Sequence, residues 1–184
     1  IGQVELMMAY KEYFADYDIH VAQILLTRDD FKDHHRTLNI RNAMFTLIDE
    51  GVVPVINEND SVSVDEIKIG DNDTLAALTA NLWNADLLIV LSDIDGVFDK
   101  DPKANEDAEL IELVENAEQL ERTIDIGEKS SFGTGGIATK IEAAAKVNKY
   151  GIPMLLLNGS KQDIIRAGLS GKGKGTLFLG EICK

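Results

Sequence analysis

Three short runs with almost no polar side chain, Val52 to Ile56, Leu87 to Leu91 and the segment from Gly151 to Leu157, constrain this chain more than any other feature. A strand that is apolar on both faces must be covered on both faces, as an inner strand of a sheet flanked by helices is. Each run follows a stretch in which apolar residues recur at helical spacing: Thr37 to Glu50, Asn72 to Asn84, and about Ile137 to Tyr150. Gly51 stands where a helix C′ glycine belongs, at the junction of the first pair. A similar pair opens the chain. Val4, Met7, Met8, Tyr10, Tyr13 and Phe14 read as a helix, Asp16 to Asp18 break it, and Ile19 to Leu26 is β-rich. Thr176 to Leu179 is expected to add a last short strand, approached through Ser170 to Gly175. Regular alternation of helix and buried strand specifies an α/β fold with a largely parallel sheet.

At 184 residues and 45% hydrophobic content, the chain can bury one such core, and one domain is the expected count. The net charge of −14 argues against a general nucleic-acid role, because the surface repels phosphates. An anionic ligand would therefore need a local cationic pocket. A single cysteine, Cys183, cannot form an intrachain disulfide and fits a reducing compartment, with the cytoplasm as the default. No apolar run approaches the roughly 18 residues of a membrane span, and the first residues carry no signal-peptide pattern. The chain opens on Ile1 with a helical pattern almost at once, so a missing N-terminal segment, or a processed start, is expected.

Ligands in open α/β sheets gather at the carboxyl ends of strands. The polar segments Asn57 to Asp73 and Ser92 to Asp101 directly follow buried strands, and Gly127 to Gly136 precedes a helix. Within them, Asn57-Glu58-Asn59-Asp60 offers donors and acceptors suited to a zwitterionic amino acid, or forms an ordinary Asx-rich turn. In Gly70-Asp71-Asn72-Asp73, any of the three polar residues could cap the helix near Thr74, whereas a carboxylate there could also orient lysines and a metal around a phosphoryl group. Gly133-Thr134-Gly135-Gly136-Ile137-Ala138-Thr139-Lys140 would let backbone N–H groups and the Lys140 ammonium close on a phosphate. The alternative is a flexible turn with a solvated lysine. It is not a Walker A sequence, since Lys140 follows Thr139 and precedes Ile141. Finally, Leu91-Ser92-Asp93-Ile94-Asp95-Gly96-Val97 ends an apolar strand. Taken alone it resembles the nucleophile segment of haloacid-dehalogenase phosphatases. Its position argues against that reading, because a helix and two strands precede it, and the last apolar strand ends in Asn158-Gly159-Ser160 rather than paired acids. His20, His34, His35 and Cys183 suggest no metal cluster and no triad.

In their order and spacing these segments resemble the glutamate 5-kinases of the amino acid kinase family along nearly the whole chain. The resemblance rests on Ile1-Gly2-Gln3, Val21 to Thr27, Gly51 to Asp60, Gly70 to Asp73, Leu91 to Gly96 and Gly133 to Gly136. It implies a three-layer αβα sandwich around a mostly parallel sheet of about eight strands. The implied reaction is ATP-dependent phosphorylation of the side-chain carboxylate of L-glutamate with Mg²⁺, the first step of proline biosynthesis. By the same resemblance Asp60 and Asn72, helped by Asn57, would hold glutamate. Asp73 would organise the catalytic lysines, and Lys140 would stabilise charge on the transferring group. Ser92, Asp93, Thr134, Gly135, Gly136, Ile137, Ala138, Thr139 and Lys140 would line the nucleotide site. It further implies that residues 1–184 are an amino acid kinase domain without its opening strands and without a C-terminal RNA-modification-type domain, so activity of this chain alone is in question. A homo-oligomer inhibited by proline is also implied. Two competing readings remain: a phosphatase using Asp93, and a nucleotide-binding remnant without catalysis.

Overall fold

The computed structural model describes residues 2–60, 71–120 and 136–181. Contacts divide the chain into two compact units, Ile1–Leu75 and Ala76–Lys184.

In the first unit, helix α1 (Gln3–Ala15) leads to strand β1 (His20–Leu26) through Asp18, whose positive φ of 56° turns the chain. Helices α2 (Arg28–Lys32) and α3 (His34–Asp49) then precede strand β2 (Val52–Glu58). Strands β1 and β2 are parallel, in register from His20 opposite Val52 to Leu26 opposite Glu58. Leu26 and Met44 are this unit's most buried side chains. Gly51 has the left-handed φ of +73° expected of a C′ glycine. Helix α2 was not expected from periodicity, because it is too short to show any. It is fixed by Asp30, whose carboxylate accepts from the Thr27 N–H at 2.6 Å and the Thr27 hydroxyl at 2.8 Å, and pairs with Arg36 at 2.9 Å. Helix α3 starts three residues before the apolar pattern does, because Asp33 accepts from the Arg36 N–H at 2.8 Å and caps it.

Helix α4 (Asn72–Trp83) begins in the first unit and runs into the second. The second unit continues with β3 (Leu88–Ser92), β4 (Val97–Phe98), β5 (Leu110–Ile111), β6 (Leu113–Val114), α5 (Gly136–Asn148), β7 (Met154–Asn158), α6 (Ile164–Leu169) and β8 (Gly175–Phe178). The strand order is β3-β7-β8-β6. Pairs β3/β7 and β6/β8 are parallel, β7/β8 is antiparallel, and β4/β5 form a separate antiparallel pair. Strand β7 lies between two neighbours and buries Met154, Leu156 and Leu157 completely, as its unbroken apolar run demanded. Helix α5 covers the core with Ile137, Ile141, Ala144 and Val147, which recur every three or four residues. Each large aliphatic side chain so buried contributes about 1.5–3 kcal/mol. The acidic stretch after Asp99 holds β5 and β6, two-residue strands too short to register against the surrounding charge. Among the described residues no helix is long and apolar enough to cross a membrane.

Candidate functional site

The residues singled out in the sequence fall in two groups. In the first unit, Asn57 lies within β2 rather than beyond it, because pairing with β1 continues to Glu58 whatever the side chains. Its amide is partly used: Nδ2 donates to Gln3 Oε1 at 3.0 Å, and Oδ1 accepts from the Glu58 N–H at 2.9 Å. Among the described residues these two contacts use one N–H and the oxygen of the amide. Asp60 is exposed just past the strand, where the Asn59 N–H donates to the Leu26 carbonyl.

Asn72 and Asp73 occupy the first turn of α4, the former exposed and the latter half-buried. The sequence left open which of three polar residues caps this helix. Asp71 does: its Oδ1 accepts from the Thr74 N–H at 2.7 Å. Asp73 follows in the first turn, where its carboxylate adds charge at the positive end of the helix. Gly70 lies outside the described residues.

In the second unit, a cavity of about 210 Å³ is lined by Ser92, Asp93, Gly136, Ile137 and Lys140 together with Gly96, Phe98, Asp101 and Lys103. Strand β3 delivers Ser92 and Asp93 at its carboxyl end, and the N-terminus of α5 forms the facing wall. Five of the residues expected at the nucleotide site thus meet around one cavity, although they are separated by more than forty positions in sequence. Ala138 and Thr139 stand on the same helical turn but do not line the cavity, and the Thr139 hydroxyl donates to the Gly136 carbonyl at 3.1 Å. Thr134 and Gly135 lie outside the described residues, as does Gly133.

The cavity carries both signs of charge, Asp93 and Asp101 against Lys103 and Lys140. A helix of 13 residues presents its positive end here, and the Lys140 ammonium folds back to within 3.2 Å of the Gly136 carbonyl, at the helix start. Lys103 adds a second cation in an otherwise acidic stretch. The Ser92 hydroxyl donates to Asp93 at 3.2 Å, which holds both side chains at the mouth of the strand. Phe98, Asp101 and Lys103 were not singled out from the sequence. Their signal was the charged run Asp99-Lys100-Asp101-Pro102-Lys103 inside a strand-end loop, which only the β4/β5 pair folds back toward the cavity.

Asp95 points its carboxylate at neither Ser92 nor Lys140. Oδ1 accepts from Lys161 Nζ at 2.6 Å and from Asn158 Nδ2 at 2.7 Å, and these two donors hold its carboxyl below the ordinary range. Among the described residues no three His, Cys, Asp or Glu side chains cluster as a metal cage. A hard cation here would draw on one or two carboxylates plus ligand phosphates, the usual way Mg²⁺ is bound, and Asp93 and Asp101 are donors of that kind.

The amino acid kinase family model matches residues 1–158. A glutamate 5-kinase of Alkaliphilus metalliredigens (strain QYMF) is 64% identical over 178 residues, covering 97% of this chain and 67% of that protein. One from Alkaliphilus oremlandii (strain OhILAs) is 60% identical over 181 residues, covering 98% and 69%. One from Geobacter metallireducens is 54% identical over 181 residues, covering 97% of this chain and 48% of the relative. The chain therefore spans about two thirds of the first two proteins and about half of the third. Among solved structures, UMP kinase from Ureaplasma parvum superposes with a TM-score of 0.63 at 18% identity, covering 96% of this chain and 67% of that one. The T. acidophilum isopentenyl phosphate kinase product complex gives 0.61 at 22%, covering 95% and 66%. At such identities these two structures speak for the fold alone.

Proposed function

Because the chain belongs to the amino acid kinase family, we propose that it carries out, within its full protein, the ATP-dependent phosphorylation of the L-glutamate side-chain carboxylate. The observation that carries this reading is identity of 64% extending over 97% of the chain with a glutamate 5-kinase. The cavity between Ser92, Asp93 and the start of α5 supports it, as a glycine-flanked pocket at a strand end that sets Lys103 and Lys140 beside Asp93 and Asp101. Residues 1–184 are read as belonging to one amino acid kinase domain.

The glutamate carboxylate is ionised at neutral pH and needs no general base. One of its oxygens attacks the γ-phosphorus, the bond to the β,γ-bridging oxygen breaks, and ADP leaves with the electron pair. The product is a mixed carboxylic–phosphoric anhydride that feeds proline synthesis. The protein's work is to bring two anions together and to stabilise the charge spread over the transferring group. In this reading Ser92, Asp93 and the backbone from Thr134 to Lys140 hold the nucleotide, and the Lys140 ammonium swings from the Gly136 carbonyl to the phosphates. Asp60, Asn72 and Asn57 hold glutamate, and Asp73 orients cations around the phosphates. Mg²⁺, when bound, would neutralise phosphate charge, with Asp93 and Asp101 as its protein donors. A cytoplasmic homo-oligomer inhibited by proline completes the reading.

No observation favours a phosphatase using Asp93, since β7 ends in Asn158, whose amide serves Asp95. The test is to incubate the full-length protein with ATP, Mg²⁺ and L-glutamate and to trap the acyl phosphate with hydroxylamine. Glutamate-dependent hydroxamate is expected. Phosphate release that does not require glutamate would overturn the reading.

A further inference from the structure

Strands β3 and β7 pair in parallel up to Ser92 opposite Asn158, and there the ladder ends. Beyond it the two chains remain tied. The Gly159 N–H donates to the Ser92 carbonyl at 2.8 Å, and Asn158 Oδ1 accepts from the Ser160 N–H at 3.0 Å and the Ser160 hydroxyl at 2.6 Å. The same Asn158 extends its Nδ2 across to Asp95, where Lys161 joins it on the same oxygen. Asp95 is separated from Asn158 by 63 positions, so no local turn preference produces this contact.

Ser92, Asp93, Ile94, Gly96 and Val97 all line the cavity, and Asp95 alone in that run does not. Lys161 borders a different depression, an open one of about 750 Å³ shared with Leu91, Gly159, Ile164 and Arg166. The clasp thus grips the turn by the one side chain directed away from the cavity. We propose that Asp95, Asn158 and Lys161 are positioning residues that fix the Ser92–Gly96 turn and thereby set the affinity of the neighbouring pocket for a nucleoside triphosphate.

The physical case rests on geometry. Two donors converge on one carboxylate oxygen, and charge-assisted bonds of this length are the strong kind. The low pKa of Asp95 keeps the carboxylate charged throughout the neutral range. Without the clasp, the turn retains the Gly159 N–H bond before it and the Val97 N–H bond to the Thr176 hydroxyl after it, and its middle is released. A loosened turn lowers the occupancy of the binding geometry, while Lys140, on α5, is untouched.

This inference rests on the nucleotide reading of the pocket, and calorimetry with Mg-ATP alone separates it from the glutamate reading. Asp95→Asn and Lys161→Met are expected to weaken Mg-ATP binding about three- to tenfold, the range for a half-exposed charge-assisted pair. In turnover assays the KM for ATP should rise by the same factor, with kcat and the KM for glutamate near wild type. Lys161→Arg, which keeps a cationic donor, should restore most of the affinity. Unchanged ATP affinity in both disruptive variants overturns the proposal. So does a loss of affinity that Lys161→Arg shares in full, because a cationic donor to Asp95 would then not be what sets the affinity. A wild-type protein that binds no Mg-ATP removes the pocket and the clasp together. Failure of hydroxamate formation with ATP binding intact removes only the choice of glutamate.

Discussion

The Thr176 hydroxyl lies 2.6 Å from where a Cβ on Gly96 would stand. That hydroxyl accepts from the Val97 N–H at 2.8 Å and donates to the Ile111 carbonyl at 2.7 Å, joining β8 to both strands of the β4/β5 pair. The side chain is fully buried, so neither bond can be exchanged for water. Gly96 has φ of +148°, and the Leu110 side chain approaches the same point to 2.8 Å. Glycine is needed here for two reasons, conformation and close approach.

Gly96→Ala is therefore expected to lower stability by about 2–4 kcal/mol, from backbone strain and overpacking together. Urea denaturation checks it, with Gly136→Ala as the control, since among the described residues a Cβ at Gly136 meets nothing within 4 Å. Equal denaturation midpoints for the two variants would show that the Thr176 contact yields at no cost.

Asp71 and Asp73 should separate a cap from a charge. Asp71→Ala removes the acceptor of the Thr74 N–H and is expected to cost about 1 kcal/mol of stability. Asp73→Asn leaves that cap in place, so its melting temperature should stay near wild type. Its phosphoryl transfer should fall at least tenfold, since a displacement of about 1 Å near the chemistry can cost on the order of 100-fold. An Asp73→Asn protein with wild-type kcat would remove Asp73 from the catalytic machinery.

Lys140→Ala is expected to lower kcat by about 100-fold while the KM for glutamate changes little, because its charge acts on the transferring group. Steady-state kinetics in the full-length protein decides this. A raised glutamate KM at constant kcat would assign Lys140 to substrate recognition instead.

Asp95 predicts how stability depends on acid. Its folded pKa is depressed, chiefly by the Lys161 bond and then by Asn158. Its contribution is therefore fully present above the unfolded carboxylate pKa of about 4 and is lost as pH falls through the lower folded value. The stability difference between wild type and Asp95→Asn should be flat from neutral pH down to about 5 and shrink below about 4. Denaturant midpoints across that range test it, and a difference that grows toward acid would contradict the assigned partners.

How much of this was legible beforehand depended on the range of the interaction. The apolar run of β7 and the 3.6-residue stripe of α5 follow from side-chain pattern alone, because burial on both faces or on one is a property of neighbours three or four residues apart. The order of the polar segments likewise sufficed to indicate the family, and the strand-end position of Ser92 and Asp93 followed from the apolar run before them. What the sequence could not decide was which groups meet across the fold. Three capping candidates stood before Thr74, and only the path of the chain into α4 selected Asp71. Asp95 read as part of an acidic loop motif until β7 was paired beside β3 and brought Asn158 and Lys161 to it. Thr176 and Gly96 are eighty positions apart, and their contact exists because β8 pairs with β7 rather than standing at an edge. Local periodicity and capping are encoded in adjacent residues, whereas partners across a sheet are fixed by strand order and register, which no short stretch of sequence contains.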